Sequence, residues 1–200
     1  MVSSSPTITV RDGTLSDGDF ILGAFDSAIT YLPTIGSADQ WGPQLFSQRG
    51  AASFDPMTAV VKSSAVHTEH QSTPGHEGDL YDLSRDDLVH ARCLIADSAV
   101  EQDGDKKTTQ PVATLCFQDF IPPHLIGNNA EFRACADAIH AKDGSFIYVW
   151  ALVSDFNVDA ARRKGAGGAL LTEVKSIARK HGIPWIYLDC WTGNERKLVQ

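Results

Sequence analysis

The 200-residue chain has no apolar run approaching the ~18 residues of a membrane span, and its start, Met-Val-Ser-Ser-Ser-Pro, lacks a basic stretch followed by an apolar one. No membrane role is expected, and the expected compartment is the cytoplasm. Nor is there a basic surplus: 17 Lys and Arg stand against 25 Asp and Glu, a net charge of −8. Such a surface repels phosphate backbones, which argues against a nucleic-acid partner and suits a cationic small substrate. Cysteine is scarce. Cys93, Cys116, Cys135 and Cys190 are far apart with no C-x-x-C pair, so buried reduced thiols are expected, with neither disulfide nor metal chemistry. No internal repeat is visible. With 42% hydrophobic and 21% charged residues, one globular domain over residues 1–200 is the natural reading.

The patterning predicts an α/β domain. Thr7 to Val10 alternate like a short strand, and Ser16 with Asp19 resembles a cap before a helix from about Asp17 to Leu32, with apolar residues at Ile21, Leu22, Phe25, Ile29 and Leu32. Asp55-Pro56 reads as the cap and first turn of a second helix through Val66, and His67 to Asp82 as a polar surface loop. Leu88 to Ala96 and Pro111 to Phe117 read as strands of an antiparallel hairpin around a polar turn from Asp97 to Thr109. A short helix follows over Ala130 to Ala141. Phe146 to Val153 is nearly all apolar, as in a central strand buried on both faces. Leu170, Leu171, Val174, Ile177 and Ala178 make a helical stripe that Gly182 and Pro184 end, and Ile183 to Trp191 is a last strand.

Between the central strand and that helix lies Arg162-Arg163-Lys164-Gly165-Ala166-Gly167-Gly168. Small residues at a helix start let backbone N–H groups approach an anion, and the helix dipole adds about half a positive charge there. The plain alternative is a tight turn whose glycines only allow close packing. A magnesium-nucleotide loop is excluded, because Gly168 is followed by Ala169 and Leu170 where Lys and Ser or Thr are needed. A dinucleotide turn fits poorly: Leu170 occupies the place of the third small residue, and about eight residues separate strand from turn, although Asp189 imitates the ribose-binding acid. His67, Glu69, His70, His76 and Glu77 form a local group without zinc spacing and read as solvated loop, as do the charges of Asp103 to Lys107.

The turn resembles the coenzyme A pyrophosphate site of the GNAT superfamily of N-acetyltransferases, with Arg162, Gly165, Gly167, Leu170 and Leu171 in register with its Arg/Gln-x-x-Gly-x-Gly/Ala signature. Ile183 to Cys190 is similar to the family's next strand, and Asn194 to a residue just after it. The specific part of the likeness runs from Phe146 to Gln200. It implies a mixed, mostly antiparallel central sheet flanked by helices, and acetyl-CoA bound by the N–H groups of Arg163, Lys164, Gly165, Ala166, Gly167 and Gly168. Arg162, Asn194 and the backbone of Asp155 and Asn157 would add to that site, and the strand before the turn would splay from its neighbour to admit the pantetheine arm.

The implied reaction is acetyl transfer to a primary amine of a small molecule or peptide; the alternative is a coenzyme A binding module without turnover. A protonated amine must lose a proton before it attacks, so a base is needed. Asp155 and Asp189, at ends of the flanking strands, are candidates, with Asp155 preferred for preceding the turn directly. Trp41 is expected to line the acceptor side. In the family, a tyrosine beyond the last strand here often protonates the leaving thiolate, followed by two further strands; the sequence ends at Gln200 without them. Tyr148 and Tyr187 are the substitutes. The edge of the last strand is expected to be open, which invites a homodimer.

Overall fold

The computed structural model describes residues 6–71, 91–102, 106–128, 130–142 and 145–196. In chain order these form β1 (Thr7–Asp12), α1 (Gly18–Tyr31), α2 (Ala51–Gln71), β2 (Ala91–Gln102), β3 (Lys106–Gln118), α3 (Pro123–Asn128), α4 (Ala130–His140), β4 (Phe146–Ser154), α5 (Ala160–Arg163), α6 (Ala166–Lys180) and β5 (Trp185–Leu188). The strands lie in the order β1-β2-β3-β4-β5, with every neighbouring pair antiparallel except β4 and β5, which are parallel. This is the mixed, mostly antiparallel sheet flanked by helices that the sequence implies.

The amphipathic helices cover its faces. Leu170, Val174, Ile177 and Ala178 of α6 pack on Leu94, Val112, Leu115, Phe117, Ile147 and Val149 on one face. Ile21, Ala24, Phe25 and Ala28 of α1, with Val60 and Val61 of α2, pack on Cys93, Ile95, Cys116, Ala151 and Val153 on the other. A smaller cluster seats Ile121 and Ala136 on Phe146 and Tyr148 at the start of β4.

The entry into α1 is fixed by a buried charge. Asp17 is 5% exposed. It takes both arms of the Arg11 guanidinium at 2.8 Å and both the N–H and the hydroxyl of Thr14 at 2.7 Å. The cap is therefore built on Thr14 and Asp17, ahead of the Ser16 and Asp19 expected from the sequence, because a buried carboxylate needs those partners. Burial alone would raise the Asp17 carboxyl, but the bonds from Arg11 and Thr14 outweigh it and hold the group below its ordinary value. A carboxyl depressed in the folded state adds stability above its unfolded pKa of ~3.9 and loses that contribution as pH falls through the folded value. Asp17→Ala should therefore cost about 2–3 kcal/mol at neutral pH. Urea denaturation checks this, and the gap to the parent should shrink below about pH 4.

Several boundaries differ from the sequence pattern. α2 opens at Ala51, so Pro56 lies inside the helix, and it runs past Val66 to Gln71. His67 consequently sits on α2 and is buried, with 5% exposure, instead of opening a loop; 72–82, with His76 and Glu77, lies outside the described residues. The presumed turn from Asp97 to Thr109 is mostly strand, since Asp97 to Gln102 pair with Pro111 to Lys106. Polar side chains hid it: Ser98 is fully buried among them. Cys93 and Cys116 are buried as expected, whereas Cys135 and Cys190 are exposed. β5 is shorter than the predicted strand, at four residues.

β4 carries the feature that matters most for function. Phe117 faces Val149 while Cys116 faces Ala151, so Trp150 is an extra residue, a β-bulge. The bulge reverses the side-chain alternation. Ile147 and Val149 face α6, but Ala151 and Val153, of the same parity, face α1. Leu152 is thereby turned out of the α1 face and is 39% exposed.

Candidate functional site

β4 and β5 are paired only from Phe146 with Trp185 to Val149 with Leu188. Beyond that point, among the described residues, no strand meets β4 on this side, and the two chains part at the bulge. A cavity of about 580 Å³ opens in the gap, lined by Gln40 and Trp41 on one side, Val149 to Leu152 of β4, and Leu188 to Trp191.

The glycine turn adjoins this opening. Asp159 caps α5 by accepting from the Ala161 N–H at 2.7 Å, and Lys164, extended at φ −58° and ψ 124°, ends it. Gly165 then takes φ +88°, which a side chain would strain, and its carbonyl accepts the Ala169 N–H at 3.0 Å as α6 begins. The first N–H groups of α6, those of Ala166, Gly167 and Gly168, lie ahead of the helix's own hydrogen-bond ladder, whose first rung here is the Ala169 N–H onto Gly165. N–H groups gathered at the start of a 15-residue helix, behind a glycine in the left-handed region, make a cradle for a pyrophosphate. A Cβ on Gly167 would stand 3.9 Å from Leu152, which itself lines the cavity, so turn and cavity are contiguous. The residues present therefore fit coenzyme A, with its pyrophosphate on the turn and its arm in the gap.

The remaining residues of the turn are arranged as follows. The Arg163 N–H is taken by Asp159 at 3.2 Å, its Nε donates to Val158 at 2.9 Å, and its guanidinium lies 4.5 Å from the centre of the Phe156 ring. Phe156 stacks in turn on Tyr31 at 3.9 Å. Arg163 thus ties the loop after β4 to α1. Arg162 is half-buried, and its Nε has no partner. Asp155 accepts the Asn157 N–H at 2.9 Å and donates its own N–H to Val112 at 2.9 Å, so its carboxylate closes its own turn. Asn194, in a left-handed turn at φ 48°, donates its amide to Ile35 and Ser37, both at 2.8 Å, and so anchors the chain after β5 to the loop after α1.

Asp189, one residue past β5, lines the cavity and accepts the Tyr148 hydroxyl. Burial above all, and then the Asp189 bond and charge, push the Tyr148 phenol well up. A phenol so reluctant to ionise, with its proton committed to Asp189, suits a positioning role better than that of an acid. Tyr187 accepts from Lys142 Nζ at 3.1 Å and does not line the cavity. Trp41 does line it. Trp150, Gln40 and Trp191 are lining residues that the sequence did not single out. Trp150 read as part of a core strand, and a bulge leaves no mark in hydrophobic periodicity.

Among the described residues no group of His, Cys, Asp or Glu is arranged to hold a metal ion, and no helix is long and apolar enough to cross a membrane. No protein-family model and no curated protein sequence matches the chain. Solved structures of similar arrangement include a transcriptional regulator from Bacillus halodurans C-125, 11% identical, with 96% of this chain and 88% of that one covered and a TM-score of 0.48. An aminoglycoside N-acetyltransferase, AAC(6')-Iy, in complex with CoA is 11% identical, with 98% and 84% covered and a TM-score of 0.45. A possible acetyltransferase from Clostridium difficile 630 is 14% identical, with 94% and 82% covered and a TM-score of 0.48.

Proposed function

We propose that this chain is an N-acyltransferase that moves an acetyl group from acetyl-CoA to a primary amine while both are bound. The observation that carries the reading is the parting of β4 from β5 after Val149 and Leu188 directly beside the glycine-lined N-terminus of α6. A phosphate cradle by itself has many uses. Joined to a gap in a sheet that admits an extended arm, it suits coenzyme A far better than a nucleotide lacking such an arm.

Acetyl-CoA supplies an acetyl group activated as a thioester. The N–H groups of Lys164 to Gly168 hold its pyrophosphate, and the unpaired edge of β4 from Trp150 onward offers peptide groups to its amide-bearing arm. Asp189 takes the proton that the amine must lose, and the Tyr148 hydroxyl holds that carboxylate in position. The new N–C bond replaces the C–S bond, and the second proton that the nitrogen loses passes through water to the departing thiolate. Asp189 thus displaces Asp155 as the preferred base, because it lines the cavity and Asp155 does not.

Thiol release from acetyl-CoA over a panel of aryl- and alkylamines, polyamines, aminoglycosides and peptide N-termini tests this. At least one acceptor should release thiol well above the hydrolytic background. Tight binding of coenzyme A with no release on any acceptor would reduce the chain to a binding module.

A further inference from the structure

Two walls of the cavity come from stretches far apart in the chain, Gln40 and Trp41 from the loop after α1 and Leu188 to Trp191 from the end of β5. Asn194 bonds one stretch to the other. Its Nδ2 donates to the Ile35 carbonyl and to the Ser37 hydroxyl, both at 2.8 Å. Ser37 is buried, with 3% exposure, and its backbone is engaged as well, donating to Leu32 at 2.9 Å and accepting the Gln40 N–H at 3.1 Å. Asn194, just beyond Trp191, is thereby tied to the turn that carries Gln40 and Trp41.

The segment that bears Asn194 is held in an unusual form. A Cβ on Gly193 would run into the Trp191 ring, so this indole lies against a backbone that only glycine leaves open. Asn194 and Glu195, at φ 48° and 57°, are the non-glycine residues with left-handed backbone among those described. Asparagine visits that region readily and glutamate does not, and such residues persist where their surroundings impose them. The Asn194 amide supplies that constraint, seated over Gly36, where a Cβ would stand 3.6 Å from Asn194 Oδ1. Two hydrogen bonds of modest net worth thus oppose the relief of two left-handed residues, terms of similar size. A contact so balanced holds the walls together and still opens.

We infer that Asn194 is a positioning residue, a releasable clasp that sets the spacing of the two walls and so governs how the amine is admitted and held. The inference rests on the acyltransferase reading for what enters the cavity. It also moves Asn194 away from the coenzyme A site that the sequence likeness implied. An amide NH₂ has two donors, and Ile35 and Ser37 take both, which leaves none for a phosphate.

The test uses the whole chain carrying Trp185→Phe, which removes the exposed indole outside the cavity and leaves Trp41, Trp150 and Trp191, all lining it, as fluorophores. Acrylamide quenching then reads access to the cavity without turnover, and its constant should rise about twofold or more in Asn194→Gly. Glycine takes φ 48° without strain, so a change in that variant belongs to the lost bonds and not to a distorted backbone. Ser37→Ala keeps the Ile35 bond and should give part of the rise, and the double variant should go no further than Asn194→Gly alone. With the amine that releases thiol fastest, Asn194→Gly should raise the amine KM about tenfold with kcat within about threefold, while calorimetry finds coenzyme A affinity within about twofold of the parent. Unchanged quenching and KM alongside a lowered urea midpoint would leave Asn194 a merely structural residue and overturn the inference, as would fully additive effects of the two substitutions. A tenfold loss of coenzyme A affinity would overturn it by returning Asn194 to the cofactor site. Quenching that rises as expected in a chain that acetylates no amine would keep the clasp and defeat the acyltransferase reading instead.

Discussion

A Gly167→Val chain is expected to remain folded and to bind coenzyme A about a hundredfold more weakly than the parent or worse. A Cβ at Gly167 meets nothing closer than Leu152 at 3.9 Å, an ordinary contact, and the residue has no positive φ to lose. The fold therefore does not demand glycine there. The ligand does, because a branched side chain would stand among the N–H groups that must reach the pyrophosphate. Losing two charge-assisted hydrogen bonds at ~1.5–3 kcal/mol each corresponds to a factor of about 10² to 10⁴. Gly165→Val is a poorer test. At φ +88° the backbone itself would be strained, so weak binding would be confounded with a distorted turn. Calorimetry with coenzyme A reads the result, with urea denaturation confirming that Gly167→Val is folded. Retained affinity in that folded variant would remove the phosphate role from the turn.

That turn was legible because its requirements are local. Its glycines, the basic run before them and the stripe of Leu170, Val174 and Ile177 after them lie within a few residues of each other, and each has a physical meaning without knowledge of the partner strand. The sheet was legible for a similar reason wherever an apolar run was buried. It failed where polar side chains were ordered by distant partners. Asp97 to Gln102 look like turn residues, yet they pair with Pro111 to Lys106, and Ser98 is buried by that pairing. α2 escaped in the same way, since Asp55-Pro56 has the chemistry of a helix start although the backbone is already helical at Ala51.

The cavity wall lay furthest from view. A bulge at Trp150 is a fact about register between two strands, and a one-residue change of register sends alternate side chains to the opposite face. Read from the sequence, Trp150 and Leu152 belong to a core strand; in the fold they line a cavity. Gln40 likewise has no signature. It lines the cavity only because Phe46, Arg49 and Asn194 fix its loop, and these come from two stretches of the chain, one of them some 150 residues away.

The choice between the two carboxylates gives the second large effect. Asp189→Asn should lower kcat/KM by about 10² to 10⁴, the usual worth of a positioned base, while coenzyme A affinity changes little. Asn keeps an oxygen for the Tyr148 hydroxyl, so the geometry at the end of β5 is preserved and only the proton acceptor is lost. Asp155→Asn should cost less than about tenfold, because an Asn side chain can close the same turn onto the Asn157 N–H. The pH profile separates a base from a merely structural group. With Asp189 present, the protein itself deprotonates the bound ammonium, so the parent's rate should level off well below the pKa of the amine. In Asp189→Asn only amine that arrives already neutral can react, so the residual rate should climb about tenfold per pH unit up to the pKa of the amine. An Asp189→Asn profile that levels off like the parent's would assign the proton transfer to another group, and a loss in Asp155→Asn as large as in Asp189→Asn would return that role to the residue before the turn.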